Sequence, residues 1–341
     1  MLSAAFIALV LANFAWAVPA QAQSDDGVAG ALLFNAEGNP VGIAKFTQES
    51  DGEVLIRAVV HDLPPGFHGF HVHAVATCTP PSFVSAGGHF NPGGQSHPAH
   101  AGDLPVLHVN GDGSGYARFK TDRFALADLF DADGSALIVH AKPDNYANIP
   151  TARYDPDPDS TTLATGDAGG RIACGAIVEG LAVAVMPPTG PLGAGAVLRN
   201  VDGIPVGAVK LIRQDDRVLV RAVVHDLPVG FHGFHIHAVG VCTAPFASAG
   251  GHFNPTGQSH PSHAGDMPVL LVNGDGSGET WFTTDRVTVE ALFDTDGSAF
   301  IIHANPDNYA NIPMDRYDPD PDATTLATGD AGGRIGCGVI A

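Results

Sequence analysis

Histidine is the informative residue in this chain. Seventeen occur in 341 residues, and GFHGFHVHAV at residues 66–75 places His68, His71 and His73 within six positions. On a strand, residues i and i+2 face the same side, so His71 and His73 can converge on one ion while Val72 turns to the core. His68 has the opposite parity to His71 and sits among glycines, and a structural hydrogen-bonding role is expected for it. Downstream lie His89, His97, His100 and Asp103, and much later His140 in ALIVHAKPD. Three imidazoles and a carboxylate match a closed tetrahedral zinc site. The imidazoles that remain, His71, His73 and His140, suit copper.

Seven side chains must then serve two four-coordinate sites, one too few unless one imidazole binds a metal through each ring nitrogen. The spacing does not say which histidine bridges. Loop and core histidines without metal would explain any one of these residues. They do not explain the same set written twice, as His235, His237, His252, His260, His263, Asp266 and His303.

The elements that carry these residues are themselves duplicated. Residue 71 overlies residue 235 with an offset of 164, which becomes 163 after residue 89. SAGGHFNP, HAGD, PDNYANIP, RYDPDPD and TLATGDAGGRI all recur in order. A unit this long is a whole domain rather than a solenoid repeat. Domain one is expected over 27–179, a Pro-rich linker over 180–192 and domain two over 193–341. In each copy GEVLIRAVVHDL or DRVLVRAVVHDL and GFHVHAV or GFHIHAV alternate as strands, and NGDGSG, DADGS and DTDGS are turn signals. Together with 42 Gly and 26 Pro this predicts short antiparallel strands in a sandwich or barrel. The stretches 74–103 and 141–169 lack strand pattern, and loops that long usually carry function.

A formal charge of -20 disfavours nucleic acid and anionic membrane as partners, and an anionic substrate would need a local positive site. The N-terminal run MLSAAFIALVLANFAWAVPAQAQ reads as a secretory signal cleaved near Ala22, although no Lys or Arg precedes its apolar core. An exported protein would keep Cys78, Cys174, Cys242 and Cys337 oxidised, so two disulfides are expected. The DPDPD runs lack the Gly and distal Glu of an EF-hand loop and read as solvated acidic loops.

The motifs GFHVH and GFHIH, SAGGHFNP, HAGD, LIVHA and FIIHA, and GGRIACG and GGRIGCG resemble those of the Cu/Zn superoxide dismutases, over nearly the whole chain past the leader. The resemblance implies an all-β fold, two Greek-key eight-stranded antiparallel barrels in tandem. It makes His71, His73, His89 and His140 copper ligands and His89, His97, His100 and Asp103 zinc ligands, with His89 as the bridge. In copy two it assigns His235, His237, His252 and His303 to copper and His252, His260, His263 and Asp266 to zinc, one ion of each metal per domain. Asp144 and Asp307 match the carboxylate that links a copper ligand to a zinc ligand, and Arg171 and Arg334 match the arginine that attracts the anion. The bridging His89 and His252 are expected to pass a proton. Cys78 would pair with Cys174 and Cys242 with Cys337.

The implied activity is that of an exported, secreted or periplasmic antioxidant oxidoreductase, converting superoxide to oxygen and hydrogen peroxide in both domains. A copper and zinc binding or storage protein with little turnover is the alternative. An internal pseudo-dimer is one arrangement open to the two domains, and no sequence feature requires it. The family's lysine-rimmed approach is missing: residues 140–171 hold Lys142, Arg153 and Arg171 against Asp144, Asp155, Asp157, Asp159 and Asp167. In copy two Asn305 replaces Lys142 and Asp315 is added, so weak steering and a slower domain two are expected.

Overall fold

A computed structural model describes residues 27–341. The expected leader lies outside the described residues. In the first copy the strands are β1 (Val28–Asn35), β2 (Pro40–Gln48), β3 (Val54–Val60), β4 (Gly66–His68), β5 (Phe70–His73), β6 (Leu107–Val109), β7 (Gly115–Thr121), β8 (Ala136–His140) and β9 (Arg171–Glu179). The second repeats them as β10 (Leu192–Arg199), β11 (Pro205–Arg213), β12 (Val218–Val224), β13 (Gly230–His232), β14 (Phe234–His237), β15 (Leu270–Val272), β16 (Gly278–Thr284), β17 (Ala299–His303) and β18 (Arg334–Val339). The β4–β5 pair is one strand interrupted at Gly69, so each copy has the eight strands expected of it.

All the pairings are antiparallel. In copy one the order is β7-β3-β2-β1-β9-β8-β5, while β4 pairs with β6 across the barrel end. A tight turn in which the Asn110 amide bonds to Ser114 O at 2.7 Å leads from β6 to β7, bringing the two ends of the sheet together without a continuous ladder between them. Alternating residues of β1, β2 and β3 fill the interior, where Leu33, Phe46, Ile56, Phe119 and Leu137 are buried with Val72. Burial on this scale, at about 25 cal/mol per Å² of apolar surface, is what holds the barrel. The copy-two core repeats it with Leu198, Leu211, Val220, Phe282 and Phe300.

The copies meet along an extensive seam. Strand β7 pairs with β16 through Phe119↔Thr280, Arg118↔Trp281 and Ala117↔Phe282, making one 14-stranded sheet. Phe67, Val106 and Tyr146 pack with Phe231, Val269, Leu271 and Tyr309. Ile149 and Tyr154 pack with Ile312 and Tyr317. The acidic runs are not free loops: Asp155 and Asp318 exchange backbone hydrogen bonds of 2.9 Å in both directions across the seam. Within the connecting segment, Val185 is buried with Tyr116, Ile212 and Leu219.

The loops without strand pattern hold only single helical turns, at Val84–Ala86 and Thr162–Thr165 in copy one. Disulfides join Cys78 to Cys174 and Cys242 to Cys337, pinning each metal-side loop to the strand that carries the arginine. Among the described residues no helix is long and apolar enough to cross a membrane.

Candidate metal centres

Strand β5 presents His71 and His73 on one face, as its parity requires, and β8 brings His140 beside them through the pairing of Phe70 with Val139. The loop then folds back so that His89 forms a bridge with His73, and Asp103 with His71. Potential ligand atoms of His71, His73, His89 and His140 lie within 4.8 Å of one another, and so do those of His89, His97, His100 and Asp103. His89 belongs to both groups. Copy two has the same two groups, joined at His252.

The ring nitrogens are arranged as ligands rather than as hydrogen-bond partners. His73 Nε2 and His140 Nε2 stand 3.3 Å apart, as do His89 Nδ1 and His100 Nδ1. Two imidazoles on one tetrahedral ion at metal–nitrogen distances of ~2.05 Å would have their nitrogens about 3.3 Å apart. Neighbouring groups also spend the opposite nitrogen elsewhere. His71 Nε2 donates to Asp144 Oδ2 and His97 Nε2 to Asp144 Oδ1, each at 2.8 Å, which leaves both Nδ1 atoms buried and without a hydrogen-bond partner. His97 Nδ1 lies 3.1 Å from Asp103 Oδ2 without hydrogen-bond geometry, and both residues belong to one ligand group. In copy two, Asp307 holds His235 and His260 at 2.7 and 2.8 Å, and the Nδ1 atoms of His235 and His260 are again unpartnered. An unpaired buried ring nitrogen is costly, and a cation at that point, whether a proton or a metal, removes the cost. The residues present therefore fit a copper and a zinc ion.

The electrostatics agree. Burial works against a charged His97, but Asp144 and Asp103 outweigh it and push that imidazole up to about 10. This corner of the site demands positive charge. Burial, reinforced by the facing His71, holds His89 down at about 4, and burial with the neighbouring imidazoles keeps His73 and His140 well below the usual histidine range. Neutral imidazoles are what a metal requires.

His68 stands apart from these groups, as expected. Its two ring nitrogens face His140 O and Pro64 O, both at 2.7 Å, so it braces the strand that carries a ligand. Arg171 lies on β9 with its guanidinium donating to Phe83 O and Gly87 O, each at 2.5 Å, and Arg334 does the same with Phe246 O and Gly250 O at 2.6 and 2.5 Å. These carbonyls fix each arginine beside the cavity that it lines with His73, His89 and His140, or with His237, His252 and His303.

The family described as copper/zinc superoxide dismutase (SODC) matches residues 41–177 and again 206–340. The chain belongs to the copper/zinc superoxide dismutase family. It is thereby an oxidoreductase whose family implies copper and zinc. Superoxide dismutase [Cu-Zn] of Mycobacterium tuberculosis is 43% identical over 161 residues, covering 42% of this chain and 67% of the relative. A superoxide dismutase [Cu-Zn] of Aquifex aeolicus is 36% identical over 166 residues, covering 45% of this chain and 88% of its own. A solved structure of a SOD-like protein from Bacillus subtilis is 33% identical with a TM-score of 0.37, covering 44% of this chain and 97% of that one.

Two arginines beside the candidate site were missed in the sequence. Arg123 donates to Pro98 O and His100 O at 2.8 and 3.1 Å, holding the loop between two candidate zinc ligands, and its guanidinium rests 4.5 Å from the Phe231 ring of the other copy. Arg286 repeats this with Pro261, His263 and Phe67. The repeat of these arginines was the available signal, but nothing local marks them as loop supports.

The rim of each site is not the one expected from neighbouring residues in the sequence. A cavity of about 490 Å³ opens onto His73, His89 and His140 and is lined by Lys142, Asp167 and Arg171, but also by Asp315 and Arg316 of copy two. The matching cavity of about 590 Å³ over His237, His252 and His303 is lined by Asp330 and Arg334, with Arg153 of copy one. Arg153 thus leaves its own rim for the other, and Asp315 burdens site one rather than site two. Lys142, Arg171 and Arg316 against Asp167 and Asp315 leave one positive charge in surplus at the first mouth. Arg153 and Arg334 against Asp330 leave the same at the second. The expected handicap of domain two has no basis in these linings.

Proposed function

We propose that this chain is an exported dismutase that converts superoxide to oxygen and hydrogen peroxide at two copper-zinc centres, one per copy. The carrying observation is the pair of ligand groups that share His89, with Asp144 tying one group to the other through His71 and His97. His71, His73, His89 and His140 would hold copper, and His89, His97, His100 and Asp103 zinc. In copy two the copper set is His235, His237, His252 and His303, and the zinc set His252, His260, His263 and Asp266. When bound, copper supplies one-electron exchange with superoxide in both directions, while zinc contributes charge without redox change.

The protein's own part is positional. Arg171 and Arg334 offer fixed guanidinium groups to a small anion beside the copper-side histidines. Asp144 and Asp307 set the tautomer of the histidines they touch and thereby aim the opposite nitrogen. His89 and His252 each turn Nδ1 toward the set assigned to zinc, 2.7 Å from Asp103 Oδ1 or Asp266 Oδ1 of that set, so Nε2 is the atom at which a proton can be held and passed to reduced substrate.

We also read residues 1–22 as a leader, 27–179 and 193–341 as the two domains, and 180–192 as their link. The two disulfides support export to an oxidising compartment, extracellular or periplasmic. The seam supports an internal pseudo-dimer. Superoxide turnover per copper of the mature chain, beside a His71→Ala, His73→Ala variant, tests the main reading: about half the turnover should survive. Negligible turnover of the fully metallated parent would leave metal binding as the function.

A further inference from the structure

We propose that each copy's anion approach is completed by an arginine of the other copy, Arg316 serving the first site and Arg153 the second, so that neither mouth is finished within one domain. This rests on the dismutase reading for its substrate. The loop that carries PDNYANIP and RYDPDPD crosses the seam in both directions. Arg316 Nη1 meets both carboxylate oxygens of Asp159 at 2.5 and 2.6 Å, and Nη2 pairs with Asp167. Asp167 is 9% exposed and lines the first cavity; Asn145 and Thr162 hold its other oxygen at 2.7 Å each. Arg153 meets Asp322 twice at 2.5 Å and pairs with Asp330 at the second mouth.

Each crossing is locked by neighbours. Tyr317 OH lies 2.6 Å from Thr162 Oγ1 and accepts from the Asp159 amide at 2.9 Å, while Tyr154 mirrors it on Thr325 and Asp322. Asn311 Nδ2 donates to Pro143 O and Asp167 O, and Asn148 Nδ2 to Pro306 O and Asp330 O. A lone copy would therefore leave Asp167 or Asp330 at its mouth, and Asp159 or Asp322 behind it, without the crossing guanidinium that pairs with both, and only Lys142 with Arg171, or Arg334 alone, would remain there to meet an anion. With a protein carrying a formal -20, that local charge decides whether an anion is drawn in or turned away. Arg316 and Arg153 act by placing charge, not by touching the reacting atoms; they are positioning residues, and the crossing gives a physical reason for two domains in one chain.

The test uses the full chain loaded with copper and zinc and with domain two silenced by His235→Ala, His237→Ala. Arg316→Gln, Arg316→Lys and Arg153→Gln are compared in it for superoxide kcat/KM, its dependence on ionic strength, and the affinity of the remaining copper for azide read from visible absorption. Arg316→Gln should weaken azide binding and lower kcat/KM about fivefold or more at low salt, flatten the salt dependence, and be largely restored in Arg316→Lys. In the mirror chain, silenced by His71→Ala, His73→Ala, the larger loss should move to Arg153→Gln. The proposal is overturned if the larger loss follows the arginine of the same copy, if both arginines matter equally or not at all, or if lysine fails to rescue and the salt dependence does not change. A parent that binds azide but turns over no superoxide would defeat the dismutase reading instead, and the azide comparison would still decide the crossing.

Discussion

Gly166 and Asp144 stand so close that a methyl group added at Gly166 would lie 1.9 Å from Asp144 Oδ1 and 2.5 Å from His97 Nε2. Gly166 also has φ of +55°, in the left-handed region. The glycine that ends the helical turn Thr162–Thr165 therefore sets how near this turn comes to the link between the two ligand groups. Gly329 stands in the same relation to Asp307 and His260.

Gly166→Ala should consequently push Asp144 off His97 and release the orientation of His97 Nδ1. Zinc affinity in copy one should drop about 10- to 100-fold, the usual cost of losing a carboxylate behind a metal-binding histidine. Competition with a zinc chelator on the full chain measures it, and an unchanged affinity would mean that the turn yields instead of the clamp.

His89→Ala and His100→Ala should separate by metal content. Since His89 alone of copy one's ligand candidates lies in both groups, its loss should lower copper and zinc retention together, whereas His100→Ala should lower zinc first. Metal analysis after dialysis against a chelator reads the difference, and equal copper retention in the two variants would argue against a shared imidazole.

Arg171→Gln should reduce superoxide kcat/KM at site one by about tenfold or more, with less effect on kcat at saturating substrate, because the lost guanidinium acts on the approach of the anion. The chain to use is the one whose second site is silenced. A loss confined to kcat would show that Arg171 acts otherwise.

Breaking Cys78–Cys174 by a Cys78→Ser, Cys174→Ser change frees a loop with sequence separation 96. On the chain-entropy account the cost is about 4 to 5 kcal/mol, less where the loop stays ordered without the bond. Urea unfolding followed by tryptophan fluorescence and far-UV circular dichroism gives the shift in midpoint. No shift would mean that packing of Phe83, Ala86 and Ile138 around the bond suffices.

Much of this protein was legible because its chemistry is local or periodic. Parity placed His71 and His73 on one face, and the repeat made each ligand count twice. The arithmetic of seven donors for two sites required a bridge, and the resemblance named His89. What resisted reading was long-range. Arg123 gives no local sign that its guanidinium holds two carbonyls of the zinc-side loop, and Gly166 gives none that it presses on a carboxylate 22 residues earlier in the chain.

The rim shows the division most clearly. By itself the sequence determined that the chain is two β domains with one set of metal donors each, because strand alternation, turn chemistry and ligand identity are properties of short segments. Which charges surround each site was decided only by the tertiary structure, since Arg153 and Asp315 lie beside one set of ligands in sequence and the other in space. Charge acts through distance, and the packing of one domain against the other sets that distance.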